Sequence, residues 1–418
     1  MIDQQKTFPA SCLPAPAEFG ALDRALRARL IERLRPLQQG RLIIEDACGR
    51  VVLGHAGEAG LCAYVRVDDP ALYRALATNG AVGAGESYIR GHWRCDDLVA
   101  LMRLLLCNRD LLDGLERGSA RIGSWLLRAW STLRPNTRRG SREHIAAHYD
   151  LGNEFFALFL SPDLMYSSAL WREDDHDTLE AASTRKLDAI CTALALSPRD
   201  AVVEIGTGWG GFALHAARRY GCHVTTTTIS REQHALASER VAAAGLGDRV
   251  TVLLEDYRDL RGRYDKLVSI EMIEAVGARY LETYFAKLGA LLKPRGLALL
   301  QAITIEDHRY QQALGEVDYI KRYVFPGAFI PSVSAMLDAK SRATDLNLVH
   351  FEDFGPSYAR TLEAWRTRFL AQRGEVRRLG FDDRFIRLWE FYLAYCEAGF
   401  RERSIGVAHL KFAKASLP

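Results

Sequence analysis

The stretch that most restricts what this chain can become is Glu204-Ile-Gly-Thr-Gly-Trp-Gly-Gly211, which begins at the end of the apolar run Ala201-Val-Val-Glu-Ile. Glycines this close behind a buried strand permit a tight turn and let a ligand touch main chain. The text beyond the turn alternates. Phe212 to Tyr220 reads as a helix, His223-Val-Thr-Thr-Thr-Thr-Ile229 as a strand and Arg231 to Ala244 as a helix. Val250-Thr-Val-Leu-Leu, Tyr264-Asp-Lys-Leu-Val-Ser-Ile and Leu297-Ala-Leu-Leu-Gln then read as strands with helices between them. This pattern predicts the α/β class, with a doubly wound, Rossmann-like and largely parallel sheet. Ligands of such sheets sit beyond the carboxyl ends of the strands, where the strand order reverses.

The turn itself narrows the ligand. Gly206-x-Gly208-x-Gly210 is tighter than the Gly-x-Gly-x-x-Gly of a dinucleotide site. Glu204, at the end of the strand, suits a cationic methionyl group and repels a pyrophosphate. After the third strand, Asp256 is placed to hydrogen-bond an adenine amino group and Tyr257 to pack on the ring. Together these features point to S-adenosylmethionine. The second strand ends in Thr227-Thr228-Ile229-Ser230, with Gln233 beyond, where an acid is usual. The ribose is therefore expected to lie against Thr228, Ile229 and Gln233, which are uncharged.

A chain of 418 residues calls for two domains and a linker. Residues 1–20, with Pro9, Pro14 and Pro16, read as a flexible lead-in. Residues 21–115 read as a smaller N-terminal α+β accessory domain for lipid binding or dimerisation, beginning with a leucine stripe at Leu22, Leu26, Leu30 and Leu34. Residues 116–142 form a basic amphipathic linker, and residues 143–418 a catalytic domain. Arg121, Arg128, Arg134, Arg138, Arg139 and Arg142 flank an apolar face that includes Trp125 and Trp130. Such a helix either docks on the catalytic domain or lies in an anionic lipid interface.

The net charge of +3 makes no case for nucleic acid as a partner. The eight cysteines are scattered, without metal-ligand spacing, and read as reduced thiols. The N-terminus lacks a secretory signal, and no apolar run is long enough to cross a bilayer, so the expectation is a cytoplasmic protein that meets the inner face of the membrane peripherally. His144 and His148 lie four apart but lack a third ligand nearby, and no metal site is expected.

Several blocks acting together give the chain a recognisable character. They are His148-Tyr-Asp-Leu-Gly-Asn153, Met165-Tyr-Ser-Ser168, Val203 to Gly211, Thr228-Ile-Ser-Arg-Glu-Gln233, Asp256-Tyr-Arg-Asp259, Tyr323-Val-Phe-Pro326 and Gly399-Phe-Arg-Glu-Arg403. Through them the sequence resembles the cyclopropane-fatty-acyl-phospholipid synthase family over nearly its whole length. The resemblance implies transfer of a one-carbon unit from S-adenosylmethionine to the double bond of an unsaturated acyl chain in a membrane phospholipid. Attack of the alkene on the methyl group leaves a carbocation, and a base then removes a proton from the new methyl as the ring closes.

In the family that base is a bicarbonate ion. Its ligands carry over as Glu274, Tyr358 and the main chain at Ser168 and Ile303, with Gln301 where a histidine is usual. Glu271, three residues before Glu274, is able to share or replace its role. Tyr149, Tyr166 and Ser167 match a lid over the methionyl group. Gln301 donates a hydrogen bond but cannot change charge. Without a working base, the same cation yields a methyl- or methylene-branched chain and no ring. A further alternative is a catalytically dead lipid-binding protein, and a homodimer fits the accessory domain. Tyr310, Tyr319, Tyr323, Phe325 and Phe329 are candidates to line an acyl tunnel, although each alone reads more readily as core.

Overall fold

The structure is a computed structural model that describes residues 18–55, 60–111, 151–173 and 176–415. The basic linker, Tyr149, His144 and His148 lie outside the described residues. The chain divides into two compact units. One comprises residues 1–130, 317–320 and 373–402, and the other residues 131–316, 321–372 and 403–418.

The first unit contains α1 (Ala21–Leu34), β1 (Gly40–Asp46), β2 (Gly49–His55), β3 (Cys62–Val67), α2 (Ala71–Ile89), β4 (Trp93–Cys95) and α3 (Leu98–Cys107). Its sheet runs β2-β1-β3-β4, with β1 parallel to β3 and the other pairs antiparallel. The helix α1 departs from the expected leucine stripe. Leu22 is exposed, whereas Asp23 is buried and its carboxylate caps Gly20 N and pairs with Arg74. A late helix, Asp383–Arg401, also belongs to this unit, although the sequence division assigned it to the catalytic segment. It packs on α2 and α3 and buries Ile386, Trp389, Phe391, Leu393 and Phe400. Tyr319 joins it, with its ring 4.5 Å from that of Phe391 and its hydroxyl on Leu388 O. It is a core residue of this unit.

The second unit is built on a seven-stranded sheet. Its elements are α4 (Leu179–Ala193), β5 (Ala201–Ile205), α5 (Gly211–Tyr220), β6 (His223–Thr228), α6 (Arg231–Ala243), β7 (Val250–Leu254), β8 (Tyr264–Ile270), α7 (Leu281–Leu291), β9 (Leu292–Ile305), β10 (Asn347–Asp353), α8 (Gly355–Ala371) and β11 (Ile405–Ala413). The order is β10-β11-β9-β8-β5-β6-β7. The strands β9, β8, β5, β6 and β7 are mutually parallel, while β11 runs antiparallel between β9 and β10. The doubly wound fold is as expected, but β10 and β11 fall in a region whose sequence reads as helical and aromatic. Both are held there by long-range pairing, which local pattern does not reveal.

From β5 the chain steps outward one way through β6 and the other way through β8. The strand order therefore reverses between β5 and β8, and their carboxyl ends, Ile205 and Ile270, open onto the same crevice. Ser269 ties them together by donating to Ile205 O at 3.1 Å. Among the described residues no helix is long and apolar enough to cross a membrane.

Candidate active site

The glycine turn leaves β5 with left-handed backbone at Gly206 (φ 99°), Gly208 (φ 51°) and Gly210 (φ 85°), which L side chains rarely adopt. A Cβ at Gly211 would lie 2.5 Å from Met165 Sδ, so the turn is pressed against the 161–168 loop, whereas a Cβ at Gly208 would meet nothing within 4 Å. The main chain at Gly208 thus faces open space, which suits a ligand lying on the turn. Trp209 anchors the turn by donating to Asn153 Oδ1 at 2.6 Å and packing on Phe156. Glu204 is buried and receives the Thr226 hydroxyl at 2.6 Å, and burial pushes its carboxyl up to about 8. A cationic ligand returns such a group to its ionised form.

Around the nucleoside position, Thr228 Oγ1 donates to Gln233 Oε1 at 2.8 Å, both side chains buried, and half-buried Ile229 follows at the end of β6. Asp256 is engaged by Arg258, whose main-chain N and Nε reach Oδ1 and whose Nη2 reaches Oδ2 at 2.6 Å. Tyr257 packs edge-on against Tyr284.

Opposite the turn lies the feature that most changes the expectation. Glu271, at the end of β8, has φ 48°. Left-handed backbone costs an L residue about 1 to 2 kcal/mol, so the position is one that glycine fills more easily. Its carboxylate takes the donors expected to hold bicarbonate. Ser168 N donates to Oε1 at 2.8 Å, Gln301 Nε2 to the same oxygen at 2.7 Å, and the Tyr358 hydroxyl to Oε2 at 2.6 Å. A free anion and this side chain cannot share three donors, so bicarbonate does not fit here. The local shape differs from the sequence reading as well. Glu271 and Glu274 do not share a helical face, because only the short 3-10 turn Ile273–Ala275 follows β8.

Glu274 is placed differently. Its Oε1 accepts from Ile303 N at 2.6 Å, while Oε2 is buried with no hydrogen-bond partner among the described residues. Burial, followed by the neighbouring charge of Glu271, pushes its carboxyl up to about 8. Burial also raises Glu271. The Ser168 hydroxyl turns away to Ala169 O, so only its main chain serves the site.

Three participants were missed. Gln301 is oriented by His409, opposite it on β11, whose Nε2 lies 3.1 Å from Gln301 Oε1. Burial pushes the His409 imidazole down to about 3, so it stays neutral. Trp365 of α8 sits between Tyr166 and Tyr358, with ring centroids at 5.3 and 6.2 Å, and its buried Nε1 has no partner among the described residues. Lys186 of α4 is fully buried, with Nζ donating to Ser167 Oγ at 2.9 Å. A lysine in the buried row Leu179, Ala182, Lys186, Ile190 was the available signal. Of the tunnel candidates, Tyr310 and Phe329 lie in the apolar core, while Phe325 faces Tyr166 at 6.5 Å.

With this geometry established, comparison with known proteins decides the family. Residues 136–410 match the model of the mycolic acid cyclopropane synthetases. The chain belongs to the mycolic acid cyclopropane synthetase family. Its relatives include the tuberculostearic acid methyltransferase of Mycobacterium tuberculosis, 38% identical over 96% of this chain and 93% of that protein. The cyclopropane-fatty-acyl-phospholipid synthase of Escherichia coli is 36% identical over 84% of this chain and 87% of that one. Among solved structures, the cyclopropane synthase MmaA2 of Mycobacterium tuberculosis superposes with a TM-score of 0.61 at 28% identity, covering 65% of this chain and 98% of that one. The mycolic acid cyclopropane synthase CmaA1, solved with SAH and CTAB, gives 0.61 at 27% over the same 65% of this chain and 98% of its own. As a member of the mycolic acid cyclopropane synthetase family the chain is an S-adenosylmethionine-dependent lipid methyltransferase.

Proposed function

We propose that this enzyme methylates a double bond of an unsaturated fatty acyl chain carried by a membrane phospholipid, and that its product is a methylene-branched chain and not a ring. The observation that carries the reading is the carboxylate of Glu271 on the three donors Ser168 N, Gln301 Nε2 and Tyr358 OH.

S-adenosylmethionine supplies an electrophilic methyl group on a sulfonium. The turn Gly206 to Gly211, with Glu204, Thr228, Gln233, Asp256 and Tyr257, would hold it, and Tyr166 and Ser167 would close over its methionyl end. The alkene π pair forms the new carbon-carbon bond and leaves a cation on the neighbouring chain carbon. Tyr166, Tyr358 and Trp365 present aromatic faces to such a charge, and the Glu271 carboxylate adds negative potential.

The fate of that cation depends on how fast a proton leaves. A carboxylate has about four lone-pair directions, and Glu271 has three filled. It is a weak, tethered acceptor with one direction open on Oε2. Slow deprotonation leaves time for a hydride to move from the methyl-bearing carbon to the cationic one, giving a more substituted cation. Loss of a methyl proton to Glu271 then forms a double bond between the branch carbon and the new CH2, and the substrate has gained CH2. The overall identity to the tuberculostearic acid methyltransferase, over nearly the whole chain, supports a product without a ring.

One observation favours ring closure instead, namely Oε2 of Glu274, a second buried acceptor without a hydrogen-bond partner among the described residues. Turnover of vesicles of a defined monounsaturated phospholipid distinguishes the two. Vinylic proton signals of a terminal methylene on the branch carbon are expected, and upfield cyclopropane signals would overturn the branched assignment. Comparing anionic with neutral vesicles tests the role proposed for the Arg121 to Arg142 stretch, which predicts faster turnover on anionic surfaces.

A further inference from the structure

A buried lysine beside a site that takes a cationic cofactor needs a reason, because its charge repels the sulfonium. Lys186 is fully buried, and among the described residues its ammonium makes one hydrogen bond, to Ser167 Oγ. Two contacts from the same face of α4 grip the 161–168 loop. Ser183 donates to Asp163 Oδ2 at 2.6 Å and Lys186 holds Ser167. The next residue, Ser168, gives its main-chain N to Glu271. The ammonium is thus one residue removed from the carboxylate that accepts the proton.

The groups that face this ammonium come from four places. Asp163 lies in the loop, Glu204 on β5 below the glycine turn, Glu271 at the end of β8, and neutral His409 on β11. We propose that Lys186 is a positioning residue that fixes Ser167 and Ser168 and serves as the fixed counter-charge of Glu204 and Glu271, keeping the centre of the site neutral through the reaction.

The charge count carries the argument. With Glu274 protonated and Asp163 offset by Arg240, which donates to its main-chain oxygen and feels its charge, the remaining cationic centres before methyl transfer are Lys186 and the sulfonium, and the remaining anionic ones are Glu204 and Glu271. After transfer and proton loss, the sulfonium charge has gone and Glu271 is neutral, leaving Lys186 opposite Glu204. The sum is zero at both stages, so no uncompensated charge is left in a poorly solvated site. Remove Lys186, and the resting site keeps an excess negative charge that is relieved by protonating Glu271, the group that must be ionised to act. Burial lowers the lysine itself to about 8, with the carboxylates opposing that shift.

The proposal rests on Glu271 as proton acceptor, and the test separates the two. The full-length Lys186→Met, Lys186→Gln and Lys186→Arg variants are compared with the parent for turnover against pH and for S-adenosylhomocysteine affinity by calorimetry. Both neutral variants are expected to move the acid limb of kcat upward by about one pH unit, a roughly tenfold loss on the limb that higher pH restores. Lys186→Arg keeps the limb of the parent. Lys186→Gln retains a donor to Ser167 without the charge, and it guards against a Lys186→Met chain that fails to fold. An unmoved limb in a folded neutral variant overturns the proposal, as does an equal shift in Lys186→Arg. Glu271→Gln with undiminished turnover overturns the acceptor assignment alone, whereas an inactive Glu271→Gln beside an unmoved Lys186→Gln limb overturns the Lys186 proposal alone.

Discussion

Replacing Glu271 tests the chemistry most directly, because the side chain does two separable things. It accepts three hydrogen bonds, and it offers the one open lone pair able to take a proton. Glu271→Gln keeps the volume but removes the basicity. General-base catalysis is worth about 10²- to 10⁴-fold, so kcat is expected to fall by that factor, about 3 to 5 kcal/mol in activation free energy. Binding of S-adenosylhomocysteine, which the glycine turn is proposed to hold, should change little.

Glu271→Gly goes further, since glycine releases about 1 to 2 kcal/mol of left-handed backbone strain at φ 48°. It also opens a carboxylate-sized gap facing Ser168 N, Gln301 Nε2 and Tyr358 OH. These donors are the ones that a small anion needs. Added bicarbonate or formate should therefore restore part of the activity of Glu271→Gly and none of that of Glu271→Gln. The assay is release of S-adenosylhomocysteine from monounsaturated phospholipid vesicles, with the lipid analysed by mass spectrometry for a gain of CH2. Undiminished turnover by Glu271→Gln would refute the reasoning, and so would a folded Glu271→Gly that ignores both anions.

Other consequences follow from single contacts. Tyr358→Phe removes a hydrogen bond to a charged carboxylate, worth about 1.5 to 3 kcal/mol, and should lower kcat by roughly ten- to a hundredfold with little effect on the KM for the cofactor. Gly211→Ala places a Cβ 2.8 Å from Asp163 O as well as against Met165, and overpacking of this kind should cost about 1 to 3 kcal/mol of stability, read as a lower Tm. Because folding raises Glu204 and Glu274 from 4.5 to about 8, the ligand-free protein favours their protonated forms. Its stability should be greatest below pH 4.5 as far as these two groups decide it, and fall as pH rises to about 8. Glu274→Gln should flatten that fall in a thermal-melt series, and a steepened fall would contradict the assignment.

The sequence by itself determined the parts that depend on local pattern. The glycine turn, the strand-helix alternation after Asp200 and the acidic end of β5 each follow from residue types at fixed spacing, and they specified the sheet and the cofactor. The resemblance blocks brought Glu274, Gln301, Tyr358, Ser168 and Ile303 into one list. Only the tertiary structure decided which carboxylate meets which donor. Glu271 and Glu274 are three residues apart, and a helical reading makes them equivalent. The chain instead leaves β8 through a left-handed residue, which turns Glu271 onto Ser168, Gln301 and Tyr358 and sends Glu274 to Ile303 N. The partners come from residues 103 and 87 positions away along the chain for Ser168 and Tyr358, distances over which no sequence period carries information. Lys186 was hidden for the same reason. Its position on the apolar stripe of α4 is visible in the text, but the loop and the carboxylates that make a buried ammonium tolerable are gathered around it only by the closing of the sheet.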